Sequence, residues 1–416
     1  MTTSTPGAVA DDLPDLELSE AERDRRWRAL RWRMDLAGYD ALLLWGNESK
    51  WQAGLASNRY VCGRVAPGCI LFPLAGDPVV WSGFPHDVTP WGALAGGWIG
   101  DVRAGQQTTA DIVATLRDRG LAASAIGVVG FGETRPRVVP EVVPHNQYRT
   151  IRAGLPGARF EDAGWLLEEA RMIKSDEEIA LLRRAGVLAG AMAEAMAETA
   201  RPGAREYEVY AAMLHASLSR GGEEEMIWLS SGAVPPPHGK RPPASARRLE
   251  AGDILVCEYH ARYKGYLAGA EISLSLGEPD RKYQDIHAVC VASQEAGMAA
   301  MRPGNAFAEA VRGFRRPIID AGFSSVECGL HGHGLASPEF PSTMYGGQAG
   351  AWEEHAYARI PSIDFQPNMV LATASDVYDP AWNDRTGLML GRTVLITADG
   401  AEELTGLPLP ATLPVV

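Results

Sequence analysis

Several things are scarce in this 416-residue chain, and each scarcity closes off a class of function. There are five cysteines, Cys62, Cys69, Cys257, Cys290 and Cys328, dispersed and without a Cys-x-x-Cys pair. An odd, scattered set is not a disulfide framework, and it leads us to expect a reduced, cytoplasmic protein. Basic residues are in the minority: 39 Lys and Arg against 52 Asp and Glu leave a net charge of −13. That is the wrong sign for a nucleic-acid partner or an anionic membrane surface. No apolar run approaches the ~18 residues that a bilayer span requires. Tandem repeats are absent. Residues 1–14 are rich in Ser, Thr, Pro and Asp and lack the basic-then-apolar order of a signal peptide, so a disordered tail is expected there. What remains is an acidic chain, 46% hydrophobic and 22% charged, of a length for two domains and suited to a small-molecule substrate.

The pattern along the chain alternates strands with helices, which defines an α/β (α+β) fold class. Ser19 and Glu22 have capping-box spacing for a helix running to about Gly38. Strand-like runs follow at Ala41–Trp45, Cys69–Pro73, Pro78–Trp81 and Ile126–Gly130, with a helix near Thr109–Arg119. These elements predict an N-terminal α/β domain over 15–160 and a second domain over 161–416. In the second, Ser175 and Glu178 open a helix that stops before Pro202-Gly203. Two strands are expected at Asp253–Ala261 and Tyr263–Leu276, meeting near Arg262. The latter should bury the face of Ile272, Leu274 and Leu276, with Glu271 on the other. Helices are expected at Arg281–Met301 and Ala306–Ala321, the second capped by Asn305 and kinked or divided at Pro317.

Three stretches in order carry a resemblance: Gly252-Asp253-Ile254-Leu255-Val256-Cys257-Glu258 leading to Gly265-Tyr266-Leu267-Ala268-Gly269-Ala270-Glu271; Gly332-His333-Gly334; and a closing Thr393–Thr405. Together they closely resemble the M24 family of methionine aminopeptidase, proline-specific aminopeptidases and creatinase. The resemblance implies a pita-bread C-terminal catalytic domain behind a smaller α/β N-terminal domain. The peptidases of that family hold two metal ions with two Asp, one His and two Glu. Here those positions fall on Glu258, Gly269, His333, Ala374 and Gly391. One carboxylate and one imidazole are left, where a catalytic divalent site takes at least three protein ligands. No metal and no other cofactor is therefore expected. Arg392, next to Gly391, is expected to add positive charge beside the emptied positions.

Creatinase, within the same family, works without metals, and the resemblance carries its features onto named residues. Its catalytic His implies His238, in the loop Val234-Pro235-Pro236-Pro237-His238; its strand Glu implies Glu271; its carboxylate-binding arginine, given by a neighbouring subunit, implies Arg64 in the loop Arg59–Arg64, and hence a homodimer. Creatinase's second substrate-binding Glu corresponds to Ala374, which counts against creatine itself. Arg359 is a further candidate for a substrate carboxylate.

As chemistry, His238 follows three prolines and titrates near neutral pH. Glu271 needs a cationic partner or substrate in an otherwise small and apolar strand. Glu258 and His260 share a strand face and suit a base and its orienter. His333 is a candidate catalytic group and His331 a substrate contact; Trp228, Trp352 and Trp382, read as loop residues, are candidates for a pocket wall. The expected function is a metal-independent, creatinase-like hydrolase cleaving a C–N bond of a small, carboxylate-bearing polar substrate. A lyase or isomerase using the same proton-transfer residues, a catalytically inactive binding protein, and an Xaa-Pro peptidase-like enzyme with a mononuclear site stand as alternatives.

Overall fold

Capping and turn chemistry set the first elements where the sequence places them. In the computed structural model of the chain, which describes residues 15–47, 53–64, 68–82, 97–104, 108–131, 141–236, 244–343, 362–382 and 386–416, helix α1 spans Glu20–Ala37. The Ser19 hydroxyl accepts from Glu22 N at 3.1 Å, and Gly38 closes the helix in the left-handed region (φ 73°). The Glu22 carboxylate does not complete the box. It turns instead to Arg25 and to the fully buried Arg26, at 2.6 Å from its Nε.

The chain divides into two compact units, one formed by Leu18–Glu177 with His331–Thr343, the other by the rest. The first unit continues with β1 Ala41–Gly46, α2 Ala56–Cys62, β2 Gly68–Pro73, β3 Val79–Ser82, β4 Asp101–Ala104, α3 Thr108–Asp118, β5 Ala125–Val129, α4 His145–Gly154, β6 Arg159–Asp162 and α5 Gly164–Met172. Its six-stranded sheet has the order β4-β3-β2-β1-β5-β6, antiparallel from β3 to β1 and parallel at both edges. Leu43, Leu71, Val128, Ile112 and Leu116 are fully buried between sheet and helix. The segment around Arg59 is not the loop expected from sequence. It is the helix α2, ended by Gly63 at φ 72°, with Arg64 just beyond and exposed.

The second unit contains most of α6 Asp176–Thr199, then α7 Glu206–Leu218, β7 Ile227–Gly232, β8 Ile254–Tyr263, β9 Tyr266–Ser275, α8 Arg281–Ala300, α9 Phe307–Asp320 and all but the last two residues of β10 Ser324–Gly332; after β11 Glu339–Ser342 of the first unit come β12 Val370–Tyr378, β13 Gly387–Met389, β14 Gly391–Thr397 and β15 Gly400–Glu403. The strand order is β10-β12-β14-β9-β8-β7, with β13 beside β12 and β15 beside β14. The long β8–β9 hairpin turns at Lys264-Gly265, both at positive φ (49° and 89°), two residues beyond Arg262 and so close to the expected place. The physical reason is the turn: two residues in left-handed conformation match the twist of the paired strands. Arg262 lies inside β8, fully buried, with its Nε donating to Glu225 at 2.6 Å.

Three further expectations are corrected. β9 is buried on both faces: Ser273 is 5% and Ser275 0% exposed, their hydroxyls satisfied by Met389 O and Gly277 O, while Ile272 is the partly exposed one. Ala306, not Asn305, precedes α9, and the Asn305 side chain lies back on the preceding turn, its Nδ2 donating to Ala300 O at 3.0 Å. The same helix runs unbroken past Pro317, so it is not divided there. All five cysteines are free and buried. Among the described residues, no helix is long and apolar enough to cross a membrane.

Candidate functional site

Strand register in the second unit builds the site. Opposed residues on antiparallel strands point the same way. Trp228 of β7 opposes Glu258 of β8, Glu258 opposes Glu271 of β9, and Glu271 opposes Gly391 of β14. Thr373 of β12 pairs with Arg392, and continuing that register sets Ala374 beside Gly391. One row thus crosses five strands: Trp228, Glu258, Glu271, Gly391, Ala374. Two residues along β8, His260 opposes Gly269. Two residues along β12 from Ala374 stands Asp376.

Three sequence candidates therefore meet on one sheet face. His260 Nε2 is 4.0 Å from Glu258 Oε1, too long for a hydrogen bond and close enough for an ion pair when the ring is protonated. Glu271 is buried, and its Oε2 has no hydrogen-bond partner among the described residues. Burial, then the charges of Asp376, Glu258 and Glu327, push the Glu271 carboxyl well above the usual range. Asp376, fully buried, is pushed up by burial and by Glu327 and Glu258, while a hydrogen bond from Glu271 works the other way. Asp376 and Glu327 were missed from sequence. Asp376 could have been found from the two-residue period that follows Ala374; nothing local marks Glu327.

The emptied ligand positions are filled by the sheet itself. A Cβ on Gly269 would fall deep inside His260 Cδ2 and Tyr259 O, and lie 3.1 Å from His260 Cα. One on Gly391 would fall inside Thr373 O and Glu271 Oε2, and lie 2.8 Å from Glu271 Cδ. His260 thus covers Gly269 and Glu271 covers Gly391, with neighbouring backbone closing in at both. A two-metal cage needs carboxylates at these positions, and neither can carry a side chain without moving a strand. Among the described residues, no group of three or more His, Cys, Asp or Glu is arranged to hold a metal ion. The residues present do not fit the family's metal pair.

Arg392 corrects an expectation. As the next residue on β14 it points to the opposite face from Gly391, where Nη1 donates to Leu407 O at 3.3 Å and Glu403 is the nearby charge. Burial lowers its pKa, and it does not stand over the emptied positions. Trp228 is likewise a strand residue, not a loop residue. Trp382 packs edge-on against Tyr283 with ring centroids 4.9 Å apart.

In the first unit, His331 and His333 are buried with perpendicular rings 5.7 Å apart, and His331 Nδ1 lies 2.9 Å from Gly332 O. The loop after them is pinned by Glu339, 1% exposed. Its carboxylate accepts from Leu335 N and Ala336 N at 3.2 Å, from Arg171 Nε at 3.0 Å and from Lys174 Nζ at 3.3 Å. Gly334 is required there, since a Cβ would meet Glu339 Oε2 at 2.6 Å. His238, Arg359 and Trp352 lie outside the described residues.

A mixed α/β chain with a twisted antiparallel sheet that carries acid–base residues on one face defines the class. The sequence matches the model of metallopeptidase family M24 over residues 180–398, and the chain belongs to that family. It is similar to an uncharacterized hydrolase/peptidase of Sinorhizobium fredii (28% identity over 62% of this chain and 64% of that protein). It is also similar to an Xaa-Pro dipeptidase of Pyrococcus furiosus (27% over 59% and 66%). The match therefore spans just under two thirds of either relative's length. Among solved structures, the Xaa-Pro dipeptidase from Bacillus anthracis superposes with a TM-score of 0.73 at 21% identity, covering 95% of this chain and all of that one. Dipeptidase PepE from Mycobacterium ulcerans does so with 0.74 at 22%, covering 96% and 99%. These structural likenesses establish the pita-bread fold.

Proposed function

We propose that this protein is a hydrolase that cleaves a C–N bond in a small, polar, carboxylate-bearing substrate by acid–base chemistry of its own side chains. The observation that carries the reading is the replacement on one sheet face. Glycines stand where the peptidases carry carboxylates, and a Glu/His pair at 4.0 Å and a buried Glu271 stand over them. Glu258, oriented by His260, is the base toward water or substrate. Glu271 holds or polarises the nitrogen-bearing part of the substrate. The family resemblance assigns the remaining roles: His238 as acid to the leaving nitrogen, His333 as an orienting group, and Arg64 of a second copy as a bidentate clamp on the carboxylate, making the working unit a homodimer in the cytoplasm.

A second reading is favoured by the names of the relatives: an Xaa-Pro dipeptidase-like peptidase, as the Pyrococcus furiosus protein is named. One experiment separates the two. Chelator-dialysed protein is offered creatine, N-acyl amino acids and Xaa-Pro dipeptides. The proposal expects turnover outside the Xaa-Pro set, unchanged by chelation, and at least ~10²-fold loss in His238→Ala. Turnover confined to Xaa-Pro dipeptides and restored by Mn²⁺ rejects it.

A further inference from the structure

We infer that Glu339 is the positioning residue for His331 and His333: one side chain closes a buried clamp across the Gly332–Ala336 segment and fixes both imidazoles in it. By sequence the segment is soft. Gly332 and Gly334 flank His333, and glycine holds its own conformation least of all residues. Both glycines are needed. A Cβ on Gly332 would stand 2.7 Å from Phe340 O and 2.9 Å from Glu339 O. One on Gly334 would stand 2.6 Å from Glu339 Oε2 and 3.1 Å from Lys174 Cε. The glycines admit the clamp, and the clamp replaces the rigidity they give up.

Glu339 grips the segment at both ends. Its main chain pairs with Gly332 across β10 and β11, beside a bulge that sets Ser342 opposite His331. Gly332 O, held by that pairing, accepts from His331 Nδ1 at 2.9 Å. Further along, Glu339 Oε1 accepts from Leu335 N and Ala336 N, each at 3.2 Å. His333 lies between the two grips. The carboxylate cannot swing away, because Arg171 Nε donates to Oε1 at 3.0 Å and Lys174 Nζ to Oε2 at 3.3 Å. Arg171 is held in turn: its Nη1 donates to Ser57 Oγ at 2.7 Å, and Ser57 N donates to Glu141 Oε1 at 3.0 Å. The three charged side chains are at most 4% exposed. Charge-assisted bonds in such a setting are strong and exacting in geometry. An ion pair that only tied α5 to β11 would need Arg171 and Lys174 alone. The two backbone bonds aim this one at the histidine segment.

The inference deepens the acid–base reading, which gives the two imidazoles their roles. Its first readout needs no turnover, so a chain with the expected signals and no turnover sinks that reading alone. Ring signals are read by ¹H–¹⁵N NMR on the full chain with labelled histidine, His331 and His333 being assigned by their loss in His331→Gln and His333→Gln. Glu339→Gln/Lys174→Met keeps the Oε1 acceptor and removes the charge pair, and both signals are expected at their wild-type positions. Glu339→Met/Lys174→Met removes the acceptors. Both signals then move, and kcat on the substrate found by the panel above falls roughly 10–10²-fold with KM nearly unchanged. A Glu339→Met/Lys174→Met protein with a lower melting temperature and unmoved signals makes the clamp merely structural and overturns the inference. Signals displaced equally in both double variants overturn it too, since charge and not the backbone grip would then be at work. Should Glu339→Met/Lys174→Met not fold, Glu339→Asp decides. It keeps the charge and withdraws the acceptor by one methylene, so displaced signals support the grip and unmoved ones refute it.

Discussion

Gly391→Ala is the most direct test of how the sheet closed over the emptied ligand positions. The added methyl would overlap Thr373 O on the neighbouring strand and Glu271 Oε2, and would sit 2.8 Å from Glu271 Cδ. Ordinary carbon–carbon contact begins near ~3.5 Å. Relief therefore requires β12 to retreat from β14 and Glu271 to leave its place. The first costs ladder geometry, and the second exposes a buried carboxyl pair to rearrangement. Overpacking of this kind costs about 1–3 kcal/mol, and backbone contact on one side puts the expected value at the upper end. For a unit of this size that is a fall in Tm of roughly 6–12 °C. The control is Gly100→Ala: its Cβ meets nothing within 4 Å, and the change should stay within about 0.5 kcal/mol. Both variants are compared with wild type by urea and thermal unfolding followed by circular dichroism. A Gly391→Ala protein as stable as wild type, with the same m-value, would refute the close approach and with it the argument that no metal-binding carboxylate can stand at 391.

Two other outcomes follow from buried charge. Burial raises the Glu22 carboxyl, but hydrogen bonds from Arg25 and Arg26 and their charges outweigh it, so its folded pKa lies below the ordinary range. Its stabilisation is therefore complete above the unfolded pKa and is lost as pH falls through the folded one. Glu22→Gln should cost about 3 kcal/mol at pH 7 and converge with wild type in acid-unfolding curves; a gap that persists at low pH would be contrary. Glu225→Gln strips the carboxylate from the fully buried Arg262. It should cost about 3–5 kcal/mol by chemical denaturation, whereas the double replacement Glu225→Leu/Arg262→Met recovers most of the loss; equal losses in both would contradict the pairing.

Much of the architecture was legible in the sequence because it is written in short-range chemistry. Ser19 and Gly38 bracket α1, Pro202-Gly203 follows α6, and the apolar runs of β1 and β2 fall where the residues place them. The eleven-residue step from Glu258 to Gly269 and the Gly-His-Gly tripeptide were enough for the family. Elements with weaker local signals went astray. α2 has no capping side chain, and the β8–β9 turn, two residues from its expected place, is made by a lysine in the left-handed region, a residue that does not announce it.

What the sequence determined alone is the list of losses: Gly269, Ala374 and Gly391 can supply no ligand whatever the fold does. Which side chains took over the space is a property of the sheet. His260 over Gly269 and Glu271 over Gly391 belong to separate strands brought together by register, and Arg392 was turned away by the same two-residue alternation. Register is set by hydrogen bonds between segments more than a hundred residues apart in the chain, such as Glu271 and Gly391. No local pattern encodes it, so Glu258, His260 and Glu271 could be named in advance, whereas Asp376 and Glu327 were not and the geometry of the site could not be.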